Sequence, residues 1–140
     1  MLAERRVVAL CAGSYLRSWI EAEVSDIVSA RVYALTVEDA LAALGRGGGS
    51  RAELLLLDLD LVGAAEVREL QAGIEMKWWN GMIIGLGAAR GLHRRYLEIE
   101  HVIARPFGSE ALRATVERID PDRQDTAPMI ERIADITRRR

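Results

Sequence analysis

The sequence contains a single cysteine, Cys11, so no disulfide can form within the chain. A lone thiol is typical of the reducing cytoplasm, where we expect this protein to reside. No apolar run approaches the ~20 residues that span a bilayer, and we expect no signal peptide. The net charge of −2 gives no electrostatic reason to bind nucleic acid. These absences predict a cytoplasmic protein with neither a membrane nor a nucleic acid among its partners.

Apolar runs and helix-like segments alternate along the chain. Half of the 140 residues are hydrophobic, which is enough for one domain to bury a core without metals or disulfides. Five strand-like runs cover residues 7–11, 27–35, 54–57, 82–86 and 101–104. Five amphipathic segments follow them at 14–24, 37–44, 64–72, 90–98 and 109–119, and Ser109 is a candidate cap of the last helix. The alternation predicts an α/β fold with a doubly wound, five-stranded parallel sheet.

The composition changes near residue 120, which divides the chain into a domain of residues 1–120 and a tail of residues 121–140. The tail begins as a polar linker and ends in a predicted helix with one apolar stripe and three terminal arginines. This helix either packs on its own domain or binds a partner or a second copy of the chain, which leaves a homodimer open.

Residues 47–50 are rich in glycine and are predicted to form a loop.

Charged side chains stand where the predicted strands end, which is where open parallel sheets hold their sites. Asp58 and Asp60 follow the most apolar run, and Arg105 follows the last strand. From the residues alone, Asp58 either forms a structural ion pair with Arg105 or belongs to a ligand site.

The strand ends resemble those of one known family. Leu54-Leu55-Leu56-Leu57-Asp58-Leu59-Asp60 resembles the third strand of two-component response-regulator receiver domains, whose final aspartate accepts the phosphoryl group. Arg105-Pro106-Phe107 resembles the Lys-Pro-Phe with a cis proline that follows their fifth strand, and residues 82–88 resemble their fourth strand. The resemblance covers residues 5–119. It implies a flavodoxin-like, receiver-type (βα)5 fold, a role in bacterial signal transduction, and Asp58 at the phosphoacceptor position.

The sequence departs from the receiver pattern around that aspartate. The two acidic residues that hold Mg²⁺ in receivers fall on Cys11 and Ala12, which offer no hard oxygen ligand. The hydroxyl residue after the fourth strand falls on Gly87, and the lysine falls on Arg105. We expect no cofactor and only weak Mg²⁺ binding through Asp58 and Asp60. The resemblance therefore implies an atypical receiver, or pseudo-receiver.

Aromatic residues mark candidate contact surfaces. Trp78 and Trp79 either cap the bottom of the core or anchor an interface. Tyr96, Arg105 and Phe107 lie on the surface that receivers use to contact partners, as the resemblance implies. We expect partner contacts at all five residues, and we assign Trp19 to the core face of the first helix.

No catalytic constellation emerges from the chain. His101 is predicted at the start of the fifth strand, away from Cys11, and His93 lies on the fourth helix. We therefore expect a non-enzymatic interaction module whose partner is a histidine kinase or an output protein. Two alternatives remain: a working receiver phosphorylated on Asp58 by a histidine kinase, and a small enzyme with its site in the strand-end crevice.

Overall fold

The computed structural model describes residues 6–45 and 52–119, in which five strands alternate with five helices. The strands are β1 (Arg6–Leu10), β2 (Ala30–Ala34), β3 (Leu54–Asp58), β4 (Met82–Leu86) and β5 (Ile99–Ile103). The helices are α1 (Ser14–Val24), α2 (Val37–Leu44), α3 (Ala64–Lys77), α4 (Gly91–Tyr96) and α5 (Ala111–Arg118). The loop predicted at 47–50 and the tail predicted at 121–140 lie outside the described residues.

The strands form one parallel sheet in the order β2-β1-β3-β4-β5. β3 and β4 are buried along their whole length, because apolar side chains on both faces of a central parallel strand are covered by helices. The predicted doubly wound α/β fold is confirmed. No helix in the described part of the chain is both long and apolar enough to cross a membrane.

Two apolar layers hold the helices on opposite faces of the sheet. Residues of α1 and α5 share one buried cluster with alternate residues of β1 and β3, such as Val7 and Leu54. Residues of α2 and α3 share the other with the intervening residues of those strands, such as Val8 and Leu55. Each fully buried leucine contributes about 1.5–3 kcal/mol through the area that it removes from water. This double layer fixes the carboxyl ends of the strands, where the candidate site lies.

A carboxylate from α1 caps the N-terminus of α5. Glu23 is buried and accepts hydrogen bonds from the backbone N–H groups of Glu110 at 2.8 Å, Leu112 at 2.8 Å and Arg113 at 3.3 Å. Glu110 precedes the helix with a φ of 64°, in the left-handed region. The prediction that Ser109 caps this helix is wrong, because Glu23 satisfies the free N–H groups from across the α1–α5 contact.

Several element boundaries differ from the sequence predictions, including those of β2, α3 and β5. The predicted second strand begins too early, because buried Ile27 and Val28 lie in the connection after α1. α3 continues past residue 72 to Lys77, and its Gly73 lies so close to Leu41 of α2 that an added Cβ would be 2.4 Å away. β5 begins at Ile99, so residue 101 lies in the middle of the strand and not at its start.

Candidate functional site

Asp58 is the last residue of the buried strand β3, so its carboxylate lies at the carboxyl end of the sheet. Its side chain is only 12% exposed. Its Oδ1 accepts a hydrogen bond from the backbone N–H of Asp60 at 3.1 Å, and its carbonyl accepts one from Leu61 at 2.9 Å. These two bonds form a tight turn, which brings the Asp60 carboxylate back beside Asp58.

Arg105 lies across this pair of carboxylates from the end of β5. Its Nε donates to Asp60 Oδ2 at 2.8 Å, whereas its Nη2 is 4.0 Å from Asp58 Oδ1. The ion pair expected between Arg105 and Asp58 is therefore the longer of two, and Asp60 is the nearer partner. The Arg105–Pro106 peptide bond is cis, as the resemblance to receivers implies.

Cys11 and Ala12 follow β1 directly and lie at the same carboxyl end of the sheet. Cys11 is buried, and burial raises the pKa of its thiol, with a further rise from the charge of Asp58. The thiol therefore stays protonated at neutral pH and is a poor ligand for a hard cation. Ala12 is exposed and has only a methyl group. Across residues 6–45 and 52–119, no cluster of three or more His, Cys, Asp and Glu side chains is arranged to hold a metal ion.

Gly87 follows β4 with a φ of +114°, a conformation that side-chain-bearing L residues rarely adopt. Its N–H donates to the carbonyl of Ile103 at 2.9 Å, which fixes the backbone against the end of β5. A Cβ built on Gly87 would be 3.6 Å from the Asp60 carboxylate oxygens. The resemblance to receivers implies a hydroxyl residue at this position, and such a residue would be strained in the backbone conformation that Gly87 adopts.

An aromatic stack connects Arg105 to α1. The Arg105 guanidinium carbon lies 4.8 Å from the centroid of the Phe107 ring. Phe107 in turn stacks on Trp19, with 4.8 Å between centroids and 23° between ring planes. The sequence assigned Trp19 to the core, and it does pack against the α1–α5 apolar cluster. Its contact with Phe107 was missed, because no local pattern relates two residues so far apart in the chain.

The two adjacent tryptophans, Trp78 and Trp79, differ in their surroundings. The sequence left open whether they cap the core or anchor an interface. Trp79 is buried, and its indole N–H donates to the carbonyl of Ala52 at 2.7 Å. Gly81 makes room for this ring, because an added Cβ would lie 2.1 Å from it. Trp78 ends α3 in the left-handed conformation with φ 54°, and it is 84% exposed. Trp79 therefore belongs to the core, and only Trp78 presents a large apolar surface to solvent.

The α4 residues lie beside α3 and the turn after β3. His93 is fully buried, with Nε2 2.8 Å from the carbonyl of Val62 and Nδ1 accepting from the Arg90 backbone N–H at 3.0 Å. Both ring nitrogens are thus engaged, which leaves none to activate Cys11. Tyr96 ends α4 partly buried against the α3 side of the core, and the Arg68 guanidinium carbon is 5.8 Å from its ring centroid. His101 is exposed on β5.

The fold is that of response-regulator receiver domains, which confirms the predicted fold. A CheY-like receiver domain from Methylobacillus flagellatus superposes with a TM-score of 0.61 at 15% identity, over 83% of this chain and 98% of that one. The CheY-like protein tadZ of Pseudomonas aeruginosa gives 0.60 at 17% identity, over 84% and 100%. A response regulator of red-light signalling from R. palustris gives 0.59 at 16%, over 80% and 91%. The superpositions show a shared fold. At these sequence identities they assign no functional role to any residue of this chain. The chain matches no protein-family model and no curated protein sequence.

Proposed function

We propose that this chain is an atypical receiver domain that acts as a protein–protein interaction module in cytoplasmic bacterial signal transduction, without Mg²⁺-dependent phosphorylation and without enzymatic activity. Its partner is a histidine kinase or an output protein. One observation carries the proposal. Arg105 supplies a positive charge to Asp60 at 2.8 Å and lies 4.0 Å from Asp58, at the edge of the sheet where a receiver needs a bound cation.

The residues around Asp58 do not fit a magnesium ion. Phosphoryl transfer relies on a metal to neutralise the charge that develops on the transferred group. Mg²⁺ is held by carboxylates and water in near-octahedral geometry. Asp58 and Asp60 both face the Arg105 guanidinium, and Cys11 contributes a protonated thiol. A divalent cation would have to displace or oppose that guanidinium.

Arg105 also differs from a lysine in what it contacts. A lysine ammonium is a compact point charge with three rotatable donors, whereas a guanidinium is a planar fork. The Arg105 guanidinium donates a hydrogen bond to Asp60 and also lies over the ring of Phe107. Gly87 lacks the hydroxyl that would bind a phosphoryl oxygen. Both changes favour a crevice in one fixed state over a crevice that responds to phosphorylation.

The surface formed by α4, β5 and α5 supports the interaction role. β5 is an edge strand with exposed residues at positions 100 and 101, and unpaired edges are natural contact surfaces. Tyr96 and Arg105 border this surface, and Phe107 is partly buried behind it. We propose that partners contact these residues, and that exposed Trp78 forms a separate apolar contact.

A phosphodonor assay tests the proposal. The full chain is incubated with phosphoramidate and Mg²⁺ and examined by intact-mass spectrometry, and we expect no phosphoryl adduct. As a positive control, the triple variant Cys11→Asp/Ala12→Asp/Arg105→Lys restores the receiver set of charges, and we expect it to bind Mg²⁺ more tightly in calorimetry. A phosphoryl adduct on the unmodified chain that disappears in Asp58→Asn would overturn the proposal in favour of a working receiver.

A further inference from the structure

Two arginines from different helices lie beside Tyr96. Arg68 extends from α3, and its guanidinium carbon lies 5.8 Å from the Tyr96 ring centroid. Arg95 precedes Tyr96 on α4. Arg68, the larger cause, and Arg95 lower the pKa of Tyr96. Arg94 adjoins them and is exposed. We call Arg68, Arg94, Arg95 and Tyr96 the basic patch.

The charges of the basic patch are not neutralised by carboxylates. Among the described residues, none of its three arginines forms a salt bridge, whereas Arg31 and Arg113 each bind a carboxylate oxygen at 2.6 Å. Glu66, which lies near Arg68 in sequence, is engaged in accepting from the backbone N–H of Gly63 at 2.9 Å. Among the described residues, the contact that the patch gives Arg68 is with an aromatic side chain, its guanidinium carbon 5.8 Å from the Tyr96 ring centroid. A neutral hydroxyl is a weaker partner for a guanidinium than a carboxylate is.

We propose that the basic patch is a docking site for an acidic segment of a protein partner, with Arg68 and Arg95 binding a carboxylate and the Tyr96 hydroxyl donating to it. The guanidinium fork matches the two oxygens of a carboxylate, so the partner's acid would give these arginines the charged acceptor that no described residue supplies. The site lies where the end of α4 faces Arg68 of α3.

The surroundings of the patch favour a protein over a nucleic acid. Exposed Glu69 is adjacent to Arg68 in sequence, and exposed Glu98 follows Tyr96 by two residues. A continuous phosphate backbone would bring negative charge against these carboxylates, whereas separated acidic side chains can avoid them. The net charge of −2 of the whole chain also opposes a polyanion.

A fluorescence-anisotropy titration at low ionic strength tests the inference. The probe is a fluorescein-labelled peptide of alternating glutamate and glycine, and the matched comparison is single-stranded DNA of equal charge. We expect saturable binding of the peptide that weakens as salt is added. The double variant Arg68→Gln/Arg95→Gln should weaken it by about tenfold or more, which corresponds to a loss of ~1.4 kcal/mol or more.

The control is the double variant Arg113→Gln/Arg118→Gln, which removes the same total charge from α5. We expect it to change the affinity for the peptide less than twofold, while circular dichroism verifies that both variants fold. An equal loss in both variants, or the absence of saturable binding, would overturn the inference. Tighter binding of the DNA that depends on Arg68 and Arg95 would overturn it as well. The inference deepens the proposed function by giving the partner's chemistry, but its experiment does not depend on whether Asp58 is phosphorylated.

Discussion

Arg105 binds Asp60 more closely than it approaches Asp58. The Nε–Oδ2 distance to Asp60 is 2.8 Å, and the Nη2–Oδ1 distance to Asp58 is 4.0 Å. Both Arg105 and Asp60 are about half exposed, so the pair contributes little to stability. Its consequence is electrostatic. The guanidinium gives the strand-end crevice a positive charge of its own beside two carboxylates, and a second cation must compete with it.

Removing that charge should make the crevice a better cation site. In Arg105→Ala, Asp58 and Asp60 lose the one cation that forms an ion pair with them among the described residues. We expect the affinity for Mg²⁺ to rise about tenfold, the ratio that ~1.4 kcal/mol of lost repulsion gives. Isothermal titration calorimetry of both proteins measures the change. Arg113→Ala is the matched control, because it breaks an ion pair with Asp26 outside the crevice. An unchanged affinity in Arg105→Ala would show that the guanidinium does not limit cation binding.

Restoring the missing hydroxyl after β4 should cost stability. The φ of +114° at Gly87 is unfavourable for a β-branched residue, so we expect Gly87→Thr to lower the free energy of unfolding by about 1–3 kcal/mol. Ala88→Thr places the same side chain on the exposed neighbouring residue and should change it by less than ~0.5 kcal/mol. Urea denaturation compares them. Equal stability of the two variants would mean that the backbone at Gly87 relaxes without strain.

Much of the fold was predictable because its signals are local. The bounds predicted for α1, α2 and β4 agree with the structure, since each has a regular apolar period and a clear stop, such as Gly45 after α2. The start of β5 was missed, because an edge strand has exposed residues such as Glu100 and His101 and lacks the continuous apolar run of a central strand.

The contacts of the candidate site were less predictable, because they depend on how side chains are directed after the chain has folded. Strand-end position identified Asp58, Asp60 and Arg105 as neighbours, but the preference of Arg105 for Asp60 follows from the turn that starts at Asp58. The cap that Glu23 provides to α5 joins residues nearly ninety positions apart, and no spacing rule signals it.

Tyr33 and Tyr96 should ionise at different pH values. Burial, followed by the hydrogen bond to Glu21, raises the pKa of Tyr33, whereas Arg68 and Arg95 lower the pKa of Tyr96. In a spectrophotometric titration of phenolate absorbance, we expect Tyr96→Phe to remove the first step and Tyr33→Phe to remove the last. Tyr15→Phe serves as the matched control. Loss of the first step in Tyr33→Phe would contradict the assignment.

The raised pKa of Tyr33 also sets the direction of one pH effect on stability. Because the folded state holds the Tyr33 proton more tightly, its contribution is fully present below the unfolded pKa of ~10 and is lost as pH rises through the folded value. The urea midpoint should therefore fall more steeply with pH above ~10 in the unmodified chain than in Tyr33→Phe. Parallel curves for the two proteins would contradict the expected linkage.

Glu23 should be among the most sensitive acidic positions for stability. In Glu23→Gln, the side-chain amide retains one carbonyl oxygen, but its NH₂ group replaces the second acceptor and faces the backbone N–H groups of α5. At least one buried donor is then left unsatisfied, and we expect the free energy of unfolding to fall by about 1–3 kcal/mol. Urea denaturation gives the value. The matched control is Glu69→Gln on the exposed face of α3, which removes the same charge and should change stability by less than ~0.5 kcal/mol. An equal loss of unfolding free energy in both variants would mean that the effect comes from net charge. The cap that Glu23 provides at the N-terminus of α5 would then not be the cause.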